Sequence, residues 1–354
     1  MGALTLFYRT SKALSNYCLL VTSASVLVFI CCLRFRRAPN SVSLLTFLLA
    51  LSTVDTLMLM TSLGLFPGCA CCWIYGQCTY CSYVLRVLLP LASTFQFISV
   101  WLCVMITVDR YFAICKPFFH RTYCEMSSAP QWVVAFIFIL GALFRLPVWF
   151  EYHGFEATEL RSNPVYIKWY KWHTTLFVLF ILPWTIMIVA SAAVHRSIRS
   201  AASQRTKALA AKLCTANPIR VSITVGTPQS AFVRFPTATT FGVPVTSQVS
   251  LEKATRKSAF LVFLVGTSFM AFYLPSFFAT ILETTEYYPQ SLTAFGLHQF
   301  LLFGCNLLVC LNSATNFIIY YAVGSWFRRM FHALFSMNGC TRAGRSNRRH
   351  WSTQ

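Results

Sequence analysis

From Val84 to Val108 the chain carries a single charge, Arg86, in an otherwise apolar or small-residue run. About 20 such residues span the hydrocarbon core of a bilayer as a helix. Inside lipid only a helix or a closed barrel satisfies its own backbone. The run stops at Asp109-Arg110-Tyr111 and is followed by Ala113-Ile114-Cys115-Lys116-Pro117. Charged heads at the end of a membrane helix reach water. On this stretch alone, a plain stop-transfer boundary and a functional motif remain equally open.

Composition extends the constraint to the whole chain. Of 354 residues, 56% are hydrophobic and 11% charged, with mean hydropathy +0.60. A soluble domain carries about a quarter charged residues, so this is an all-α, multi-pass membrane protein. The net charge of +20 does not indicate nucleic acid as a partner. Its basic residues stand in short blocks between apolar runs, as orientation signals do, and membrane lipid is the medium they imply.

Seven spans are expected: about 16–33, 43–66, 84–108, 131–150, 172–194, 258–282 and 294–322. Span 1 ends at Arg34, Arg36 and Arg37, which reads as a retained anchor rather than a cleaved leader. Span 2 carries a lone carboxylate, Asp55. An ionised group at mid-bilayer costs about 2.5–3.5 kcal/mol on insertion scales, so Asp55 is expected to face polar partners inside the bundle. Residues 67–83 read as a loop with five cysteines, Cys69, Cys71, Cys72, Cys78 and Cys81. A disulfide local to 69–81 is expected if that loop is extracellular, although connectivity cannot be deduced from spacing. Span 5 contains Pro183, and span 6 contains Phe269, Tyr273 and Pro275. Prolines inside a helix remove a backbone bond and favour kinks.

Residues 195–257 are rich in Ser, Thr, Ala and Val, with Pro218, Pro228, Pro236 and Pro244, and read as a flexible loop. Span 7 contains Asn306, Asn312, Ser313, Asn316 and Tyr320, and Trp326–Phe331 reads as a short amphipathic helix on the membrane surface. A single helical bundle is thus expected over 1–335, with a basic tail at 336–354 in which Cys340 is a palmitoylation candidate. Basic residues concentrate after spans 1, 3, 5 and 7, while five of the nine acids fall on the other side. The N-terminus is therefore expected outside and the C-terminus in the cytoplasm.

Asp55 in span 2, Asp109-Arg110-Tyr111 closing span 3, Pro183 in span 5 and Pro275 in span 6 together resemble the rhodopsin-type, G-protein-coupled receptors over nearly the whole chain. Three longer strings narrow the likeness: Ser99–Leu102 leading into Thr107–Tyr111, Leu146-Pro147-Val148-Trp149-Phe150-Glu151, and Leu311–Tyr320. They are similar to invertebrate FMRFamide-type neuropeptide receptors. The resemblance implies a plasma-membrane switch between an extracellular peptide and a heterotrimeric G protein. Asp109, Arg110, Tyr111 and Tyr320 would form the G-protein switch, and Phe269, Tyr273, Pro275 and Pro183 the moving hinge. It also implies a sodium site at Asp55, Ser99, Asn312, Ser313 and Asn316, with oxygen ligands that suit a hard cation; no other cofactor is expected.

The chain departs from that pattern in several places. Ser25, Tyr273, Phe317 and Arg145 stand where other residues are usual, and residues 151–200 contain no cysteine for the family's usual outer disulfide. Carboxylates and aromatic rings near the mouth suit an amidated peptide ending in Arg-Phe, with Glu151, Glu283, Glu286 and Arg145 as candidate contacts. A non-peptide or chemosensory ligand remains the alternative. A transporter would need more deep charges or an internal repeat. A membrane hydrolase would need clustered metal ligands, yet six of the seven histidines fall in loops, tail or span ends. The chain is not expected to be an enzyme.

Overall fold

The computed structural model describes residues 42–75, 83–124, 128–153, 156–215, 245–284, 292–324, 327–329 and 331–332. Span 1, Cys78, Cys81, Glu286, residues 216–244 and the tail with Cys340 lie outside the described residues. Among the described residues, five helical stretches are long and apolar enough to cross a bilayer: Val42–Ser62, Arg86–Cys115, Ala129–Phe150, Tyr166–Ala208 and Ala259–Ala279. The helix Leu292–Val323 holds a sixth, shorter apolar stretch at Leu307–Val323. These correspond to spans 2 to 7.

Span 3 is the central post. Phe97, Ile98, Ser99, Val100, Leu102, Cys103, Val104, Ile106 and Thr107 are all buried, so almost every direction around the helix is covered. Spans 2, 4, 5 and 6 all pack on it. Span 4 shows the opposite pattern. Trp132, Phe136, Ile139 and Leu143 are exposed at helical spacing and form a lipid-facing stripe, while Ile137, Gly141 and Arg145 turn inward. Lipid gives helices no hydrophobic reason to associate, so close contact between small residues matters more. A Cβ on Gly141 would stand 2.7 Å from Ile98 Cγ1 and 3.1 Å from Phe97 Cδ1, which shows how near spans 3 and 4 approach.

Span 5 is wound loosely where the sequence requires it. Its helix has π-type turns at Tyr166–Thr174 and Phe177–Ile181, the second of which leads into Leu182–Thr215. Pro183 has no N–H to offer the preceding turn, and a widened turn just before it relieves the clash. Pro275 lies inside the helix Val245–Thr284.

Three boundaries differ from the sequence reading. Span 2 continues to Tyr75, through Pro67, so Cys69, Cys71 and Cys72 belong to a helix rather than a loop. Span 5 continues to Thr215 and span 6 begins at Val245, so the supposed flexible loop is helical at both flanks. Hydropathy ends where charge begins, but Ala201, Ala202, Lys207, Ala208, Ala210, Ala211 and Lys212 are strong helix formers and carry the helix into water. Beyond span 7, residues 327–329 and 331–332 are helical and fold back on it, with Phe327 fully buried. Gly324 permits the turn, since a Cβ there would meet the Tyr320 carbonyl oxygen at 2.5 Å.

Overpacking a tight contact costs about 1–3 kcal/mol. Gly141→Ala is therefore expected to lower the thermal unfolding temperature of the purified protein, and Gly141→Leu to lower it further. An unchanged melting curve for both would show that spans 3 and 4 do not approach this closely.

Candidate functional site

Two polar centres lie inside the apolar bundle. The first surrounds Asp55, which is 1% exposed. Ser99 Oγ of span 3 donates to its Oδ1 at 3.0 Å, and Asn316 Nδ2 of span 7 donates to its Oδ2 at 2.9 Å. One carboxylate thus ties three spans together. Ser313 lies beside it, and Asn312 and Asn316 share a helix face four residues apart. The side-chain oxygens Asn312 Oδ1 and Asn316 Oδ1 are buried without a hydrogen-bond partner. Buried orphan acceptors carry a desolvation cost of about 1–3 kcal/mol each. Acceptors without donors, next to a carboxylate, are the donor set of a hard cation. All five residues expected at the cation site are buried.

The second centre closes span 3. Arg110 donates to Asp109 Oδ2 through Nε at 3.0 Å and through a terminal guanidinium nitrogen. The other oxygen, Oδ1, is 2.9 Å from Ser43 Oγ of span 2 and 2.9 Å from His120 Nε2. Asp109, Arg110, Ser43 and His120 are all buried. His120 reaches the site because the helix of span 3 ends at Lys116 and the chain then folds under it, through Pro117–Phe119 and a π turn at His120–Cys124. Tyr111 stacks edge-on to Phe112 and takes no part in this network. Tyr320 is buried on span 7, with its ring 5.9 Å from that of Phe327. Sequence reading places Ser43 at the start of span 2 and His120 in a loop, and gives neither a part in the site. A lone loop histidine carries no pattern, and only the break at Lys116-Pro117 marks the turn that brings it back.

In the core of span 6, the rings of Phe269 and Tyr273 lie 4.2 Å apart. One to two turns on, Phe277 packs against Phe180 and Trp184 of span 5, each at 5.4 Å. The two proline-bearing spans therefore meet through aromatic rings rather than polar groups.

At the opposite end of span 3, the expected ligand contacts separate. Glu151 is 2% exposed and already satisfied. Its Oε2 lies 3.1 Å from Lys171 Nζ and 3.4 Å from Arg161 Nη1, and Tyr166 donates to Oε1 at 2.9 Å. Thr158 N–H donates to the Glu151 carbonyl at 3.0 Å. A two-stranded antiparallel hairpin, Tyr152–His153 with Glu156–Ala157, bridges these groups. Glu151 thus pins the connection between spans 4 and 5 rather than offering its charge to a ligand. Arg145 is buried, with its guanidinium 5.6 Å from the Phe144 ring, and its Nε has no partner. Among the described residues no carboxylate lies within ion-pair distance of it. Glu283 sits at the end of the span 6 helix.

Residues 15–320 match the family described as 7 transmembrane receptor (rhodopsin family). The chain belongs to that family. Its members are receptors, not enzymes. Among curated proteins, this receptor is 29% identical over 126 residues to the FMRFamide peptide receptor frpr-18 of Caenorhabditis elegans, which covers 32% of the chain and 28% of that protein. It is 21% identical over 319 residues to the FMRFamide receptor of Drosophila melanogaster, covering 84% of the chain and 49% of that protein. The receptor therefore spans about half or less of the length of these relatives.

Within the receptor, the Glu151 cluster occupies the region that a disulfide usually fastens. Charged hydrogen bonds contribute about 1.5–3 kcal/mol. Glu151→Gln is expected to destabilise the purified receptor by about that amount. A melting curve insensitive to the substitution would show that the loop is held by something else.

Proposed function

We propose that the receptor binds an amidated neuropeptide on its extracellular side and passes the signal to a heterotrimeric G protein. In this reading it has seven spans in the plasma membrane, the N-terminus outside, the C-terminus inside, and a short amphipathic helix after span 7. Asp109 and Arg110 then lie at the cytoplasmic face, and Glu151 and Arg145 at the outer mouth. The observation that carries the reading is the buried Asp109–Arg110 pair, backed by Ser43 and His120. An ion pair removed from water and satisfied by further donors is costly to break from one side only. It marks a two-state element: closed, Arg110 is held by Asp109; open, it is released to a partner entering between spans 3, 5 and 6.

At the mouth, Glu151 is committed to the loop, so the arginine of an Arg-Phe-amide falls to Glu283 or Glu286. Arg145, ringed by Phe144 and Tyr170 and without an acid partner, suits the carbonyls and phenyl ring of the same peptide. A free terminal carboxylate would be repelled by those glutamates, and amidation removes it.

The test is peptide-stimulated nucleotide exchange on purified G protein, screened with amidated peptides ending in Arg-Phe. Arg110→Ala should abolish exchange at unchanged surface expression. His120→Ala removes one donor from the resting lock and should raise ligand-free exchange about tenfold, the scale of one charged hydrogen bond. Exchange equal to wild type in both variants would sink the reading.

The cation site is proposed on the same footing. Asp55, Ser99, Asn312, Ser313 and Asn316 would hold a sodium ion, which would supply the positive charge the buried carboxylate lacks. Sodium is then expected to lower agonist affinity about fivefold or more, the usual range of coupling between sites, and Asp55→Ala to remove that effect. Agonist binding that is indifferent to sodium in the wild-type receptor contradicts it.

A further inference from the structure

A cavity of about 630 Å³ lies between spans 5 and 6, with span 3 as its back wall. Its size falls within the range of small-ligand sites, about 300–1,000 Å³. Along span 5 it runs from Met187 to Ile198, and along span 6 from Arg256 to Met270. At a rise of 1.5 Å per residue these are lengths of roughly 16 and 21 Å. The slot is therefore about as long as one leaflet of hydrocarbon is deep, roughly 15 Å.

Its walls are mostly apolar, and Ile188, Phe260 and Phe263 beside it are more than half exposed. In a membrane those faces meet acyl chains. Spans 5 and 6 each pack more closely on span 3 than on each other, which leaves the slot open. Gly266 keeps it open from within: a Cβ there would meet only Met187 Sδ, at 4.0 Å. The basic groups gather at one end. Arg256 and His195 are exposed there, Arg110 behind them is engaged by Asp109, and among the described residues no carboxylate lines the slot. A long apolar channel with basic residues at the water end matches a chain with an acidic head.

The geometry points to a binding site for one anionic phospholipid, its acyl chain between spans 5 and 6 and its headgroup at Arg256 and His195. The assignment rests on the orientation proposed above, which sets Arg256 at the cytoplasmic leaflet. That leaflet is the anionic one, and each basic residue near its surface contributes about 1 kcal/mol of attraction.

The experiment uses the full chain in nanodiscs of mixed phosphatidylserine and phosphatidylcholine, each carrying a photoactivatable acyl chain in turn. Labelling by phosphatidylserine is expected on peptides holding Met187, Gly266 and Met270, several-fold above labelling by phosphatidylcholine. Arg256→Gln with His195→Gln should bring the two lipids to parity. Gly266→Leu, which fills the slot, should remove the label from both, whereas Gly266→Ala, which leaves the slot open, should retain it. Headgroup preference that survives the double substitution overturns the proposal, as does label persisting in Gly266→Leu. Label from a photoactivatable free fatty acid alone would overturn the phospholipid assignment. The readout needs neither agonist nor G protein, so lipid labelling without nucleotide exchange would fault the functional reading and leave this site standing.

Discussion

A carboxylate buried at the middle of a membrane helix fixes how the other helices can sit. Asp55 is shut away from bulk solvent, so neighbouring spans supply donors, Ser99 and Asn316 within 3.0 Å. The partners lie 44 and 261 residues away in sequence, so the interaction sets the rotation of spans 2, 3 and 7 about their axes at once. Apolar packing alone would not, because lipid and side chain are alike in polarity. The aromatic contacts of span 6 and the close approach at Gly141 then refine a register that Asp55 has already chosen.

The same logic recurs at Asp109, with a different outcome. Asp55 is held by neutral donors and ties helices together, whereas Asp109 shares its two oxygens between Arg110 on one side and Ser43 and His120 on the other. An arrangement that neutralises a charge from two directions can lose one direction and still satisfy the other. That would suit Asp109 to the switching role proposed above rather than to bracing alone.

The centres of the bundle were legible in the sequence because a charge inside an apolar run stands out. Asp55, Asp109 and Arg110 needed no structure to be noticed. Their partners were harder to see. Ser43 reaches Asp109 from span 2 through the packing of two helices, and His120 through the fold-back after Pro117, and nothing in local composition signals either meeting. Glu151 was read as a solvated or ligand-facing charge because it borders a loop with other acids. Its burial depends on Arg161, Tyr166 and Lys171 converging on it, which is a property of the hairpin and the first turns of span 5. Helix ends were misjudged for a related reason: apolar length marks what the bilayer holds, while alanine- and lysine-rich continuation decides where the helix stops, as at Thr215.

The Glu151 cluster also bears on how the chain is assembled as it is synthesised. Its donors lie 15 and 20 residues downstream of the carboxylate, so the loop that closes is short and loses little chain entropy. All the parts are present as soon as the first turns of span 5 emerge, before spans 6 and 7 exist. A cross-link from the top of span 3 would need a longer closure, an oxidant and a means of correcting wrong pairings. Here the connection between spans 4 and 5 acquires its shape spontaneously and early, and can come apart and re-form without any enzyme.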